Sequence, residues 1–278
     1  VYIKNFVIFV TTLDRIANDE LGSRLTDGEE TVMEISLIIP AYNEAQRLPA
    51  TLALYGKALE ERYGEQFEMI VVANGCRDTT VEVALAAAVT QPQITVVDIP
   101  AAVGKGGAVL EGFRRARGER VLFADADAAT TPESLFNLLN HLDRHDVVIG
   151  SRHMPTSTIT VTQPLQRRIF SRLFAACVWL LFGLSFYDTQ CGAKAFRRDA
   201  AKRLAELTQE TRWAFDVDLL LCAQALAFNV AEQPVVWTDR AGSQLHVGST
   251  IREVVKSLWR MKRRSTQVFV FAHRMQEA

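Results

Sequence analysis

Between residues 35 and 149 the chain alternates short apolar runs with longer segments of helical periodicity, and this alternation narrows the possible architectures more than any other feature. The apolar runs are Ile35 to Ile39, Phe67 to Ala73, Ile94 to Ile99, Arg120 to Ala124 and Asp146 to Ile149. Runs this short, dominated by Ile, Val, Leu and Phe, read as strands covered on both faces. Residues 48 to 62, Thr79 to Val89, Lys105 to Arg117 and Pro132 to Asp143 read as the helices between them, and Pro132 suits a first helical position. A βαβα order of this kind predicts an α/β fold with a doubly wound, mostly parallel sheet and helices on both faces. Pro40 is expected to stop the first strand.

The rest of the chain differs in character. Residues 1–33 read as an N-terminal extension that ends near the turn Asp27-Gly28-Glu29-Glu30. Leu165 to Leu184 reads as one long helix with Arg167, Arg168 and Arg172 near its start. Ala193 to Phe196 is a short strand, Phe215 to Ala227 a helix and Val230 to Trp237 a strand. Residues 249–278 form a basic amphipathic helical segment, with Ile251, Val254, Val255, Leu258 and Trp259 on one face and Arg252, Lys256, Arg260 and Arg263 on the other. Neither Phe6 to Val10 nor Leu173 to Leu184 approaches the roughly 20 apolar residues of a membrane span, so the longer run is expected to be a buried or interfacial helix. A net charge of −1 gives nucleic-acid binding no footing. Cys76, Cys177, Cys191 and Cys222 form no C-x-x-C pair, which argues against a zinc site or a disulfide framework and suits a reducing compartment.

The chemistry-bearing residues fall at strand ends. Asp125 and Asp127 follow the fourth strand, at the edge where open α/β sheets bind ligands. They either close the strand as a polar turn or offer hard oxygen ligands to Mg²⁺ or Mn²⁺ carrying a diphosphate. Pro40-Ala41-Tyr42-Asn43-Glu44 follows the first strand; it is a plain turn, or Tyr42 stacks a base and Glu44 accepts from base or ribose. Gly104-Lys105-Gly106-Gly107-Ala108 is a flexible loop with a solvated lysine, or a loop whose backbone N–H groups approach a phosphate. It is no Walker motif, because Gly106 follows the lysine. Arg152, ending the fifth strand, is a surface arginine or a phosphate donor. Asp216, at a helix start, is a cap or a catalytic carboxylate.

Taken in order, Pro40-Ala41-Tyr42-Asn43-Glu44, Gly104-Lys105-Gly106-Gly107-Ala108, Asp125-Ala126-Asp127, Gly150-Ser151-Arg152, Asp188-Thr189-Gln190-Cys191-Gly192, Arg212-Trp213-Ala214-Phe215-Asp216 and Trp237-Thr238-Asp239 resemble the inverting family-2 glycosyltransferases with a GT-A fold. Within that family the likeness is to dolichyl-phosphate β-glucosyltransferases and polyprenyl-phosphate glycosyltransferases. It spans about residues 34–248, which would be the GT-A domain. The resemblance implies a nucleotide sugar held by Pro40, Ala41, Tyr42, Glu44, Asn74, Lys105, Asp125 and Ala126. It implies Mg²⁺ or Mn²⁺ on Asp125 and Asp127, catalytic parts for Asp127 and Asp216, and an acceptor phosphate facing Arg152 and Arg168. The implied reaction moves a hexose, first glucose from UDP-glucose, to a polyprenyl or dolichyl phosphate at the cytoplasmic face of a membrane, with peripheral contact only.

Two positions depart from the family pattern. Asn74 stands where Asp-Asp-Gly-Ser is usual, which leaves the donor's base open, and Gln244 stands where a lysine is usual. A GDP-mannose donor, a non-lipid alcohol acceptor, and a nucleotide-sugar-binding protein without turnover are the alternatives. The oligomeric state is left open.

Overall fold

The computed structural model describes residues 33–160, 165–238 and 254–264, with backbone only for 165–170. The expected extension, the Gln244 segment and most of the C-terminal segment lie outside the described residues, as does the side chain of Arg168.

The main sheet has seven strands in the order β3-β2-β1-β4-β7-β5-β8. These are β1 (Ile35–Ala41), β2 (Phe67–Asn74), β3 (Ile94–Ile99), β4 (Arg120–Ala124), β5 (Val147–Ser151), β7 (Ala193–Arg197) and β8 (Val230–Pro234). The helices described with them are α1 (Leu48–Tyr63), α2 (Thr80–Thr90), α3 (Gly104–Arg115), α4 (Pro132–His141), α5 (Leu165–Phe182), α6 (Arg198–Leu207) and α7 (Phe215–Ala225), and residues 254–264 form a further helix, α8. β1 pairs in parallel with β2 and β4, β2 with β3, and β5 with β8. The sheet is therefore mostly parallel, as the alternation predicts. The exception is β7, which enters antiparallel between β4 and β5.

Strands buried on both faces send alternate side chains to two cores. Ile38, Ile70, Phe123 and Phe196 pack on one side with Phe113 of α3 and Phe215 of α7. Leu37, Met69, Val71 and Leu122 pack on the other with Tyr55 of α1 and Leu138 of α4. Pro132 does open α4, behind Thr131, whose hydroxyl accepts from the Ser134 N–H at 3.3 Å.

Two expectations are corrected here, and one helix is added. β1 does not stop at Pro40 but runs to Ala41. Its pairing with β4 covers only Ile35 to Ile38, so the proline's missing N–H falls where that neighbour has ended and β2 alone continues. The expected strand Val230 to Trp237 is broken after Pro234: Val236–Trp237 (β9) leaves the main sheet to pair with Thr158–Ile159 (β6). The helix α6 had no counterpart in the sequence reading; it buries Ala200, Ala201, Leu204, Ala205 and Leu207 along one face.

α5 is amphiphilic in its placement. Val178 is buried and Phe174, Leu181 and Phe182 pack on the core, while Leu173, Trp179 and Leu180 are exposed. The helix ends at Gly183, whose φ of 72° takes the left-handed C-terminal position and whose N–H bonds the Trp179 carbonyl at 2.8 Å. Among the described residues no helix is long and apolar enough to cross a membrane.

Candidate active site

The C-terminal ends of β1, β2 and β4 meet at one edge of the sheet. Pro40 and Ala41 are buried within β1, so a ligand reaching this strand end meets Tyr42 first, with its side chain exposed. Glu44 receives Arg47 through Nε at 2.7 Å and Nη2 at 2.6 Å. Burial raises the Glu44 carboxyl above its ordinary range despite Arg47, and the charges of Asp127 and Asp125 add to the rise.

Asn74 closes the next strand as a staple. Its Nδ2 donates to the Ala41 carbonyl at 3.1 Å, and its Oδ1 accepts from the Gly104 N–H at 3.2 Å. The side chain is buried and ties β1, β2 and the start of α3 together. Sequence reasoning considered it only as a base reader.

The glycine-rich segment is not a loop. Gly104 to Gly107 form the first turn of α3. Gly104 has φ +83°, and a Cβ there would lie 2.5 Å from the Thr211 carbonyl oxygen; at Gly106 one would lie 2.4 Å from the Phe215 ring. These glycines let α3 approach the segment leading into α7. Two of the N–H groups already have partners, Gly104 with Asn74 and Gly107 with Thr211. Lys105 is not a solvated lysine either: its Nζ lies 2.6 Å from Asp125 Oδ1. Burial pulls its pKa down, but Asp125 and then Asp216 outweigh that and hold it above the ordinary lysine value.

Asp125 and Asp127 follow β4 as expected. The Ala129 N–H donates to Asp127 Oδ1 at 3.1 Å, which fixes the turn. Ala126 between them is buried, and its carbonyl accepts from the Thr51 hydroxyl at 2.7 Å. Asp127 is raised above the ordinary carboxylate range, first by burial and then by the charge of Asp125. Gly192 packs against this pair so closely that a Cβ would fall 1.9 Å from Asp125 Oδ2.

The Asp188 to Gly192 segment organises the other side. Arg152 is neither a surface residue nor open to ligand along its whole head: Nε and Nη2 reach Asp188 at 2.6 and 2.9 Å, and the guanidinium lies 5.1 Å over the Trp237 ring. Burial alone would raise the Asp188 carboxyl, yet Arg152 outweighs it and holds the group down at about 2. A carboxylate depressed in the fold stabilises above its unfolded pKa near 3.9, and that contribution is lost as pH falls toward 2. Asp188→Asn leaves the arginine without its counter-charge and is expected to cost about 3–5 kcal/mol near neutral pH. The deficit should shrink on acidification through that window; a pH-independent difference in urea unfolding would overturn the assignment.

Asp216 is not a cap, because α7 is preceded by Ala214 and no side chain caps it. Its carboxylate instead accepts from Lys194 Nζ at 2.6 Å, and the same ammonium donates to the Cys191 carbonyl at 2.7 Å. Lys194 comes from β7 and is 0% exposed. Its ammonium and that of Lys105 both lie over the Phe123 ring, at 5.2 and 5.4 Å. Gln190 Nε2 reaches the Trp213 carbonyl at 2.9 Å and ties this segment to the start of α7. Lys194 was missed in the sequence, although a lysine inside a strand that otherwise reads as buried demands a partner. All four cysteines are free thiols, and burial pushes the Cys191 and Cys222 thiols up to about 12.

At the ligand edge, then, Asp127 is raised by burial and by Asp125, and Asp125 is bridged by Lys105. Residues 36–205, more than half of the chain, match the family model described as glycosyl transferase family 2. The chain belongs to that family and is a glycosyltransferase. It is 38% identical over 226 residues to the dolichyl-phosphate beta-glucosyltransferase of Drosophila melanogaster, covering 77% of this chain and 69% of that one. The human dolichyl-phosphate beta-glucosyltransferase is 36% identical over 230 residues, covering 76% and 69%. Among solved structures, glucosyl-3-phosphoglycerate synthase from Mycobacterium tuberculosis with Mn²⁺ and UDP-glucose superposes with a TM-score of 0.61 at 18% identity, covering 84% of this chain and 83% of that one. The fold is GT-A.

Proposed function

We propose that this glycosyltransferase moves glucose from UDP-glucose to a dolichyl or polyprenyl phosphate. The observation that carries the reading is the identity of 38% to a dolichyl-phosphate beta-glucosyltransferase, over a stretch covering 77% of the chain and therefore including Asp125 and Asp127.

Asp125 and Asp127 fit a divalent ion. They supply hard oxygens, and the raised Asp127 carboxyl marks a buried anion crowded by another, which a cation relieves. Among the described residues no group of three or more His, Cys, Asp or Glu forms a ready cage, so the diphosphate itself would complete the ligand set. Mg²⁺ or Mn²⁺ held there would neutralise charge developing on the leaving diphosphate. Lys105, fixed on Asp125, adds a second positive charge on that side. Tyr42 and Glu44 would meet the nucleoside. Asn74 acts from behind, by fixing the β1 end and the α3 start.

The acceptor phosphate oxygen attacks C1 of the sugar as the bond from C1 to the diphosphate oxygen breaks, inverting C1. A phosphate acceptor is already ionised near neutral pH, so Asp216 need not take a proton; paired with Lys194, it orients the floor of the site. Arg152, held in one orientation by Asp188, and Arg168 on α5 would receive the acceptor phosphate.

The lipid acceptor fits the exposed apolar surface. Leu173, Trp179 and Leu180 on α5 and Val255 and Trp259 on α8 are all exposed. Lys262 joins the two helices, donating to the Leu181 carbonyl at 2.6 Å. Such helices suit peripheral contact with the headgroup layer of a cytoplasmic membrane face.

The test is incorporation of labelled sugar into organic-extractable lipid, with polyprenyl phosphate, Mg²⁺ or Mn²⁺, and UDP-glucose, UDP-galactose, UDP-N-acetylglucosamine or GDP-mannose in turn. Metal-dependent lipid label from UDP-glucose is expected. Label from GDP-mannose alone would replace the donor. UDP release without lipid label would replace the acceptor, and nucleotide binding without any transfer would overturn the reading.

A further inference from the structure

The two oxygens of Asp125 are not equally open. Oδ2 faces Gly192, where an added Cβ would fall 1.9 Å from it, and Gly192 is itself buried. That side of the carboxylate is walled. Oδ1 is therefore the oxygen an incoming cation meets, and it lies 2.6 Å from Lys105 Nζ. Asp127 differs. It accepts from the Ala129 N–H through Oδ1 and makes no ion pair among the described residues. A divalent ion shared by the two aspartates and the Lys105 ammonium thus draw on the same oxygen of Asp125, and like charges do not share it.

The lysine has somewhere else to go. Its backbone is held, because the neighbouring Gly104 N–H bonds Asn74 at 3.2 Å and the Gly107 N–H bonds the Thr211 carbonyl at 3.3 Å. Its side chain is 36% exposed, so a diphosphate can reach the ammonium. Asp216 is the next carboxylate acting on it, and the Phe123 ring lies 5.4 Å away. An ammonium that leaves Asp125 therefore stays among attractive partners, and phosphate oxygens add charged acceptors to them. Arg47, the other cation near Asp127, is placed differently: Glu44 holds its Nε and Nη2, and it forms no ion pair with either aspartate.

We infer that Lys105 is an internal counter-cation that withholds Asp125 from the divalent ion until the donor's diphosphate draws the ammonium away. Donor and ion then bind as a coupled pair, since each removes what keeps the other weak. The inference rests on the proposed donor and metal site and on no part of the proposed acceptor.

The experiment titrates Mn²⁺ into the full chain, with and without saturating UDP, and follows the electron paramagnetic resonance signal of the free ion. Lys105→Met removes the ammonium and keeps a long side chain. Arg47→Met removes the other nearby positive charge without freeing Asp125. Without UDP, Lys105→Met is expected to bind Mn²⁺ about tenfold tighter than wild type, and Arg47→Met within about twofold of it. With UDP, wild type and Lys105→Met should bind Mn²⁺ within about twofold of each other, so the tightening by UDP falls about tenfold in the variant. Reciprocity requires the tightening of UDP by Mn²⁺ to fall by the same factor. Lys105→Gln repeats the measurement if methionine disturbs the fold.

Unchanged or weaker Mn²⁺ binding by Lys105→Met without UDP would overturn the inference. Equal tightening in the Lys105 and Arg47 variants would reduce the effect to local charge and overturn it too. Coupling that depends on Lys105, in a protein that labels no lipid, would leave the inference standing while the proposed acceptor fails. Metal-dependent lipid label without that coupling would keep the proposed reaction and overturn the inference.

Discussion

Asp127→Asn is expected to lower glucose transfer by at least about 10²–10³-fold, the scale of removing one electrostatic partner of a developing charge, while leaving the fold intact. Asparagine keeps the size of the side chain and an oxygen for the Ala129 N–H, so the turn after β4 survives. What it removes is the charge offered to the ion. The same substitution carries an opposite stability effect. Asp127 is raised in the fold by burial and by Asp125, so ionising it there is unfavourable. A carboxyl with a raised folded pKa destabilises once pH passes its unfolded value near 3.9, and fully so above its folded value. With a chelator present, the variant should therefore unfold at the same or higher denaturant than wild type at pH 7, with no gain below about pH 3.9. Full transfer by the variant would remove Asp127 from the reaction, and a large loss of stability would mean that its charge serves the fold.

Lys194→Met is expected to cost about 3–5 kcal/mol of stability, because it strips the buried Asp216 carboxylate of its counter-charge. That is a large part of the 5–15 kcal/mol typical of a folded domain. Methionine nearly preserves the volume, so a cavity is not the cause. The cycle with Asp216→Asn separates the two: removing both charges should recover much of the loss, giving a coupling of roughly 1–3 kcal/mol. Additive losses in urea titrations would show that Lys194 acts through packing alone. Both single variants should also lower transfer, since the pair joins the Cys191 segment to the start of α7 beside Lys105 and Asp125.

Strand positions were legible because burial on both faces writes itself as Ile, Val, Leu and Phe runs, and Ile94–Ile99 and Arg120–Ala124 end where the sequence reading placed them. The position of β7 was not legible. Ala193 to Phe196 shows a strand, but its reversed insertion between β4 and β5 depends on partners tens of residues away. The same reason hid the pairs that build the site. Arg152 and Asp188 are 36 residues apart, and Lys194 and Asp216 are 22 apart, so neither spacing carries a local periodicity. The glycines at 104, 106 and 107 carried two readings, a loop and, from Lys105 on, a helix; the helix holds, and the glycines serve its close approach to Thr211 and Phe215. Asn74 looked like a departure from a ligand-reading motif, and its staple to Ala41 and Gly104 is invisible without the third dimension.

The reversed strand also sets an order of assembly. When the ribosome has delivered β1 to β5, β3-β2-β1-β4 can assemble, while β5 pairs with no described strand made before it. β4 then waits with a bare edge, the kind of template that recruits other chains. Both are sealed only when residues 193–197 emerge and slide between them. A nascent or truncated chain ending before that point holds both aspartates of the β4 turn but leaves β4 and β5 unjoined.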